Sequence, residues 1–378
     1  MPELIGGDRA SVWERDGLPP AEPFPTLAEV RAAARAKLEK DAWDYLEGGA
    51  GAHETLHDNT ESFRRWRFRP RMLSGAAAPR LGTRFLGMDL SMPVLSAPFG
   101  SDGLFHTDGH MAVARACSAA GIASVVPEAC SHSLETVAGA APAAARVFQL
   151  HPAGPEANFL TMALRARAAG YGALCITVDC PTAGWREHLM RSGFMPSPAL
   201  VSGNYPAEGG VSPWRIFGQL VPRGEAPWSW EKLGRLCARA GLPFLVKGVL
   251  TAEDACRSRD IGASGVVVSN HGGRQLDGAP AALDVIEEVR AALGPAFPVA
   301  LDGGVWRGSD ILKARALGAD VVLLGRAIAM GLAAAGEAGV RRVLELIRGE
   351  LATTMVLAGC GDIAHVARGL LREAPGCR

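Results

Sequence analysis

The chain has no surplus of either charge: across 378 residues, Lys plus Arg and Asp plus Glu number 39 each. A balanced surface gives no general attraction to nucleic acid or to an acidic membrane. One basic and aromatic run, residues 63–71 (FRRWRFRPR), departs from that balance; it reads as an arginine-faced extended segment rather than an RNA contact. The eight cysteines, at 117, 130, 175, 180, 237, 256, 360 and 377, lack any paired short spacing. That excludes a zinc ribbon or a disulfide-stapled scaffold, and Cys175, inside an apolar run, reads as a small core residue. No apolar stretch is long enough to span a bilayer, and the first residues lack the charged start and apolar run of a signal peptide. A soluble, cytoplasmic protein is expected.

What is present is a large apolar fraction, 48% of residues, enough for one large α/β domain or two ordinary ones. Residues 1–25, with Pro19, Pro20, Pro23 and Pro25, read as an arm, and residues 26–378 as a single domain. Thr26 and Glu29 form a capping box that opens an alanine-rich helix running towards Gly48 and Gly49. From residue 93 a rhythm begins. Apolar runs fall at Pro93–Ala97, Ala123–Val126, Val147–Leu150, Ala173–Val178, Pro243–Val246, Gly265–Val268, Val299–Leu301 and Val321–Leu324. Most are followed by a polar or glycine-rich turn and a helix-like segment. Eight such runs predict a parallel sheet closed into a TIM (β/α)8 barrel, with strands buried on both faces. An open doubly wound sheet is the runner-up, but residues 98–101 (PFGS) do not supply its glycine fingerprint.

In a TIM barrel, functional residues cluster just after the strands. Here Asp179 follows the fourth run; the fifth ends in Lys247, and the sixth leads to His271 and Arg274. The seventh ends in Asp302, Gly303 and Gly304, and the eighth in Gly325 and Arg326. The longest excursion, Pro196–Ser229, follows the fourth strand and is expected to be a lid or binding loop. The glycines after strands seven and eight suit a phosphate, or simply make tight turns. Lys247 is a Schiff-base lysine, a cation beside a cofactor that becomes negative, or half of a structural ion pair. His271 and Arg274 have the spacing of a base and a carboxylate clamp on one turn, with Asp179 able to hold the imidazolium. Residues 53–57 (HETLH) match the two-histidine pattern of zinc peptidases, but they follow a glycine-rich stretch and lack an evident third ligand, so no metal is expected. His106 and His110 share the spacing without further support.

Residues 269–275 (SNHGGRQ) resemble the signature of the FMN-dependent 2-hydroxy acid oxidases and dehydrogenases, the family of glycolate oxidase, lactate oxidase and mandelate dehydrogenase. The resemblance runs from about residue 26 to 365, through WDYLEGGAG, SAPFG, AGYGALCITVDCP, REHLMRSGF, LVKGVLTAEDA and LDGGVWRGSDILKARALGADVVLLGRA, in that order. It implies a TIM barrel with FMN at its top. It also implies His271 as catalytic base, Asp179 as its acidic partner, and Arg274 and Arg186 as clamps on the substrate carboxylate. Tyr45 would reach that carboxylate, and Lys247 would steady reduced FMN at its N1–C2=O edge. By the same likeness Pro98, Phe99, Gly100, Gln149, Thr177 and Ser269 meet the flavin. Asp302, Gly303, Gly304, Gly325 and Arg326, with Arg307, meet its ribityl chain and phosphate.

The implied reaction takes the Cα hydrogen and two electrons from a 2-hydroxy acid, giving a 2-oxo acid, by hydride or by carbanion. The electron acceptor is oxygen or a redox partner, and Gly100 leans towards a dehydrogenase. The family implies a tetramer or octamer, with no membrane or nucleic-acid partner. Departures from the family concern the pocket. His151 stands in place of a tyrosine that meets the substrate, Pro127 of a flavin-contacting serine, Ala129 of an often aromatic residue, Ala183 of a larger apolar one, and Trp306 of an arginine. Three readings follow: a 2-hydroxy acid enzyme with a roomier pocket for a bulky or aromatic substrate; the same barrel redirected to an amine or biosynthetic intermediate; or a flavin-less binding protein on the same scaffold.

Overall fold

The computed structural model describes residues 24–205 and 228–374. The arm at 1–25 therefore lies almost wholly outside the described residues, as do positions 206–227 of the long excursion. Ahead of the main sheet come β1 (Trp66–Phe68) and a hairpin of β2 (Thr83–Phe85) and β3 (Met88–Leu90). Eight parallel strands then close a barrel. They are β4 (Val94–Ser96), β5 (Ala123–Val126), β6 (Arg146–Leu150), β7 (Ala173–Thr177), β8 (Phe244–Val249), β9 (Gly265–Val268), β10 (Val299–Leu301) and β11 (Val321–Leu324). Closure comes where Val322 of β11 pairs with Val94 of β4. The last strand, β12 (Leu371–Glu373), returns to pair antiparallel with β1. All eight apolar runs are barrel strands, and the open-sheet alternative is excluded.

The continuous apolarity of the runs has its cause in two cores. Leu95, Val125, Val147, Cys175, Leu245, Val267 and Leu323 pack together in one cluster, which Phe85 and Leu90 of the hairpin join. Their neighbours Val94, Val126, Phe148, Ile176, Val246 and Val268 belong to a second cluster shared with the helices. Successive side chains of a strand point to opposite faces, so a strand with helices outside and packed side chains inside must be apolar at every position. Each fully buried Val, Leu or Ile stabilises the barrel by roughly 1.5–3 kcal/mol.

Three local expectations need correction. The capping box at Thr26 is present, but its helix ends at Lys37; Leu38 turns extended and a second helix, Lys40–Glu47, carries Tyr45. The fifth run does not stop at Lys247: β8 continues to Val249 through a register shift, with Gly248 at φ +109°. The extended segment at 63–71 holds only a short strand, and Phe63 and Arg64 end the preceding helix. His53 precedes that helix, Glu54–Arg64, in a left-handed conformation, so it does not share a helical face with His57. The zinc-peptidase geometry is therefore not formed.

Candidate active site

The C-terminal ends of the barrel strands open onto a cavity with about 960 Å3 of empty space, its mouth included. Tyr45, Pro98, Phe99, Gly100, Arg186 and Lys247 line it, together with His271, Arg274, Asp302, Gly303, Gly304, Gly325 and Arg326. Trp306 also contributes to the wall. Thirteen of the expected site residues are thus brought into one hollow, from segments spread over the whole described chain.

Lys247 is buried, and its ammonium sits 3.0 Å from Asp302 Oδ2 and 2.9 Å from Ser269 Oγ. Burial alone would lower its pKa, but the carboxylates of Asp302 and Asp179 outweigh it and the net shift is upward. Lys247 is therefore a permanent cation inside the site. A lysine held protonated in this way is no Schiff-base nucleophile, which needs a free amine.

His271 follows β9 with φ +59°, ahead of Gly272 and Gly273 at +63° and +74°. A left-handed backbone is costly for a residue with a Cβ, and such strain is concentrated at functional sites. It is held here by the backbone N–H of His271, which bonds Ser269 Oγ at 3.0 Å, and by Nδ1, 3.0 Å from Asp179 Oδ1. The carboxylate fixes the proton on Nδ1 and leaves Nε2 as the basic nitrogen. Burial lowers the His271 pKa despite Asp179, and Lys247 adds to the lowering. Asp179 is opposed by burial, yet His271 and Lys247 bring it down to about 2. Gly248 makes room for this pair: a Cβ there would lie 2.6 Å from the Cβ of Asp179.

Three arginines surround the base. Arg274 bonds the carbonyls of Tyr45 and Gly48 at 2.7 and 2.9 Å and lies 5.0 Å from the Tyr45 ring centroid. Arg186 bonds the Arg274 carbonyl and Gln275 Oε1, each at 3.2 Å. Burial, then the charge of Arg186, pushes Arg274 well down from the usual guanidinium range. An anion in this cavity would relieve that repulsion. Arg326 bonds the carbonyls of Leu46, Gly272 and Gly48, and burial lowers its pKa to about 10.

Other expected residues lie elsewhere. His151 and Thr177 line a second cavity, with Cys180, Pro181, Trp228 and Trp230. Gln149 is buried beside His151. Ala129 packs under Gly100, where an added Cβ would meet the Ala129 carbonyl at 3.1 Å. Arg307 is not among the residues lining the cavity: its guanidinium bonds Glu350 at 2.9 Å, and the side chain is 61% exposed.

Three residues were missed. Glu128 pairs with His151, Tyr205 donates to Glu128, and Cys180 lies 3.5 Å from His271 Nδ1. Glu128 and Cys180 each follow a barrel strand closely, so the strand-end rule points to both. Asp179, Cys180 and His271 also bring three ligand atoms within 4.8 Å of one another. Burial and Asp179 keep the Cys180 thiol protonated, and Lys247 and Arg186 add positive charge nearby. Within the trio, Cys180 Sγ and His271 Nδ1 both lie within hydrogen-bond reach of Asp179 Oδ1.

Residues 34–373 match the FMN-dependent dehydrogenase family. A rice glycolate oxidase (Oryza sativa subsp. japonica) is 40% identical over 352 residues, covering 90% of this chain and 94% of the relative. An L-lactate oxidase from a Nostoc species is 40% identical over 351 residues, covering 90% and 96%. Among solved structures, a mandelate oxidase superposes with TM-score 0.85 at 37% identity, covering 93% of this chain and 98% of that one. Another mandelate oxidase structure, a variant, holds a C4a-OH-FMN adduct. The chain belongs to the FMN-dependent dehydrogenase family, the flavin barrels that oxidise 2-hydroxy acids. It is an FMN-dependent oxidoreductase acting on CH–OH groups, and the flavin-less reading is set aside.

The residues present fit the flavin. Asp302 Oδ1, in the cavity wall, is a buried polar atom with no hydrogen-bond partner among the described residues. Such orphans are rare unless a ligand satisfies them. Gly325 sits at the start of the helix that opens at Arg326, whose free N–H groups suit a phosphate. Gly304 has φ +76°, and a Cβ there would lie 2.0 Å from the Asn59 carbonyl oxygen, so backbone lines the cavity at that point.

Proposed function

We propose that the protein oxidises a bulky or aromatic 2-hydroxy acid to the corresponding 2-oxo acid, with His271 as base and Arg186 and Arg274 as the carboxylate clamps. One observation carries this reading: an Asp179-anchored histidine and two arginines line the same cavity. Bound FMN supplies the two-electron acceptor. The two guanidinium groups hold the substrate carboxylate and so fix the α-carbon relative to His271. Tyr45, stacked on Arg274, reaches the same carboxylate. Nε2 of His271 takes the proton, and Asp179 stabilises the imidazolium that forms. Lys247 supplies fixed positive charge where negative charge accumulates. Pro98, Phe99, Gly100, Gln149, Thr177, Ser269, Asp302, Gly303, Gly304, Gly325 and Arg326 hold the cofactor. Ala129, small beneath Gly100, supports room for a large side chain.

A second reading, the barrel redirected to an amine or biosynthetic intermediate, is favoured by one observation: His151 is paired to a buried acid rather than left as a simple pocket wall. A panel of aliphatic and aromatic 2-hydroxy acids and amines, each mixed anaerobically with the yellow protein, separates the two. Bleaching by large 2-hydroxy acids is expected. Bleaching by amines alone would overturn the first reading.

A further inference from the structure

His110 stands in the first turn of the helix Gly109–Ala119 and is fully buried, behind the cavity wall rather than in it. Its Nε2 lies 3.1 Å from the Phe99 carbonyl oxygen, and the two rings pack with centroids 4.5 Å apart. A carbonyl only accepts, so this contact places a proton on Nε2. Burial lowers the His110 pKa despite Asp102, so the ring is neutral and carries that one proton. Nδ1 is buried with no hydrogen-bond partner among the described residues. The ring is also anchored from its backbone. The His110 N–H donates to Asp102 Oδ2 at 2.6 Å, and the other oxygen of that buried carboxylate accepts from the Ser131 N–H at 2.8 Å.

What the imidazole holds is one side of a peptide unit. The Phe99 carbonyl and the Gly100 N–H belong to the same planar trans peptide, so they point in opposite directions. With the carbonyl turned back to His110, the Gly100 N–H is turned away from it, on the side of the cavity that Phe99 and Gly100 line. Among the described residues this N–H has no acceptor, whereas the next one, of Ser101, bonds the Ala129 carbonyl at 3.1 Å. A backbone N–H left over at a ligand cavity is available to the ligand. The flavin ring offers carbonyl oxygens and unprotonated ring nitrogens as acceptors.

We propose that His110 is a positioning residue for FMN: by holding the Phe99 carbonyl out of the cavity, it presents the Gly100 N–H to an acceptor atom of the flavin ring. This rests on the reading that Phe99 and Gly100 meet the cofactor. Without the imidazole N–H the peptide unit is free to turn over, and the flavin then meets a carbonyl oxygen in place of a donor.

The test uses the full chain with and without FMN. In His110→Leu the FMN dissociation constant rises about tenfold, the scale of one lost buried hydrogen bond. The visible flavin band and the reduction potential shift with it. His110→Gln restores a side-chain N–H, and with it the wild-type spectrum and affinity, although both variants lose the ring packed on Phe99. A wild-type spectrum and FMN affinity in His110→Leu would overturn the proposal, as would equal shifts in His110→Gln and His110→Leu. Hydrogen exchange at Gly100 needs no variant and tests the reading beneath the proposal. Binding of FMN to the wild type slows exchange of the Gly100 N–H. If it does not, Gly100 does not meet the flavin, and the reading and the proposal fall together. If exchange slows in the wild type and equally in His110→Leu, Gly100 meets the flavin but His110 does not place it.

Discussion

Around the barrel mouth, the β8–β11 side and the β5–β6 side differ in how they place charge. On β8 and beyond β9 to β11 stand three cations and a base: Lys247 against Asp302, His271 against Asp179, and Arg274 and Arg326 against backbone carbonyls. Beyond β5 and β6 there is one acid, Glu128, paired with His151, flanked by Pro127 and Ala129. β7 is the seam, for Asp179 turns to His271 while Cys180 borders the second cavity. The first side is arranged to hold an anion and move a proton. The second has little charge to offer, and in the proposed function it shapes the pocket. In the proposed function, chemistry and selectivity fall to different strands of one barrel, so substitutions on the two sides should produce different kinds of effect.

Breaking the charged side should cost most. Lys247→Met leaves Asp302 buried without its cation, and a broken buried pair costs about 3–5 kcal/mol; denaturant unfolding of holoprotein should register that loss, with FMN released. Arg274→Lys keeps the charge but loses the planar fork, and a lost charged hydrogen bond corresponds to a KM about 10- to 100-fold higher, read from steady-state kinetics. The other side should answer in selectivity. Ala129→Trp narrows the space near Gly100, and pocket volume typically discriminates by about tenfold, so the ratio of kcat/KM for large over small 2-hydroxy acids should fall by that amount.

The smallest effect concerns pH. His271 is held below the ordinary histidine value of 6.5, first by burial, and acts as base only when neutral. The reduction rate should therefore stay level as pH falls through 6.5 and decline only below it. The Asp179 carboxylate raises this pKa, so removing its charge in Asp179→Asn should move the acid limb lower still. Stopped-flow reduction across a pH series checks both; a limb moving upward would contradict the assignment.

Much of this was legible in the chain because burial on both faces demands unbroken apolar runs. The eight strands and the residues that follow them could be read for that reason. What escaped depends on contacts between distant positions. Nothing local at Leu38 announces that the alanine-rich helix breaks there, since its neighbours are good helix formers. Arg307 looks like a phosphate ligand until Glu350, 43 residues on, claims its guanidinium. The bond of Glu128 to His151 spans 23 residues, and neither side chain alone indicates it. Even Arg274, which lines the cavity, has part of its fork spent on the carbonyls of Tyr45 and Gly48.

The division of labour rests on His271, and one comparison tests it most directly. Wild-type protein and His271→Ala, both purified with FMN bound, are mixed anaerobically with a 2-hydroxy acid that bleaches the wild type. A general base contributes about 10²–10⁴ in rate, so the variant should stay yellow over the time in which the wild type is bleached, with its FMN affinity retained. Bleaching of His271→Ala at the wild-type rate would contradict the account.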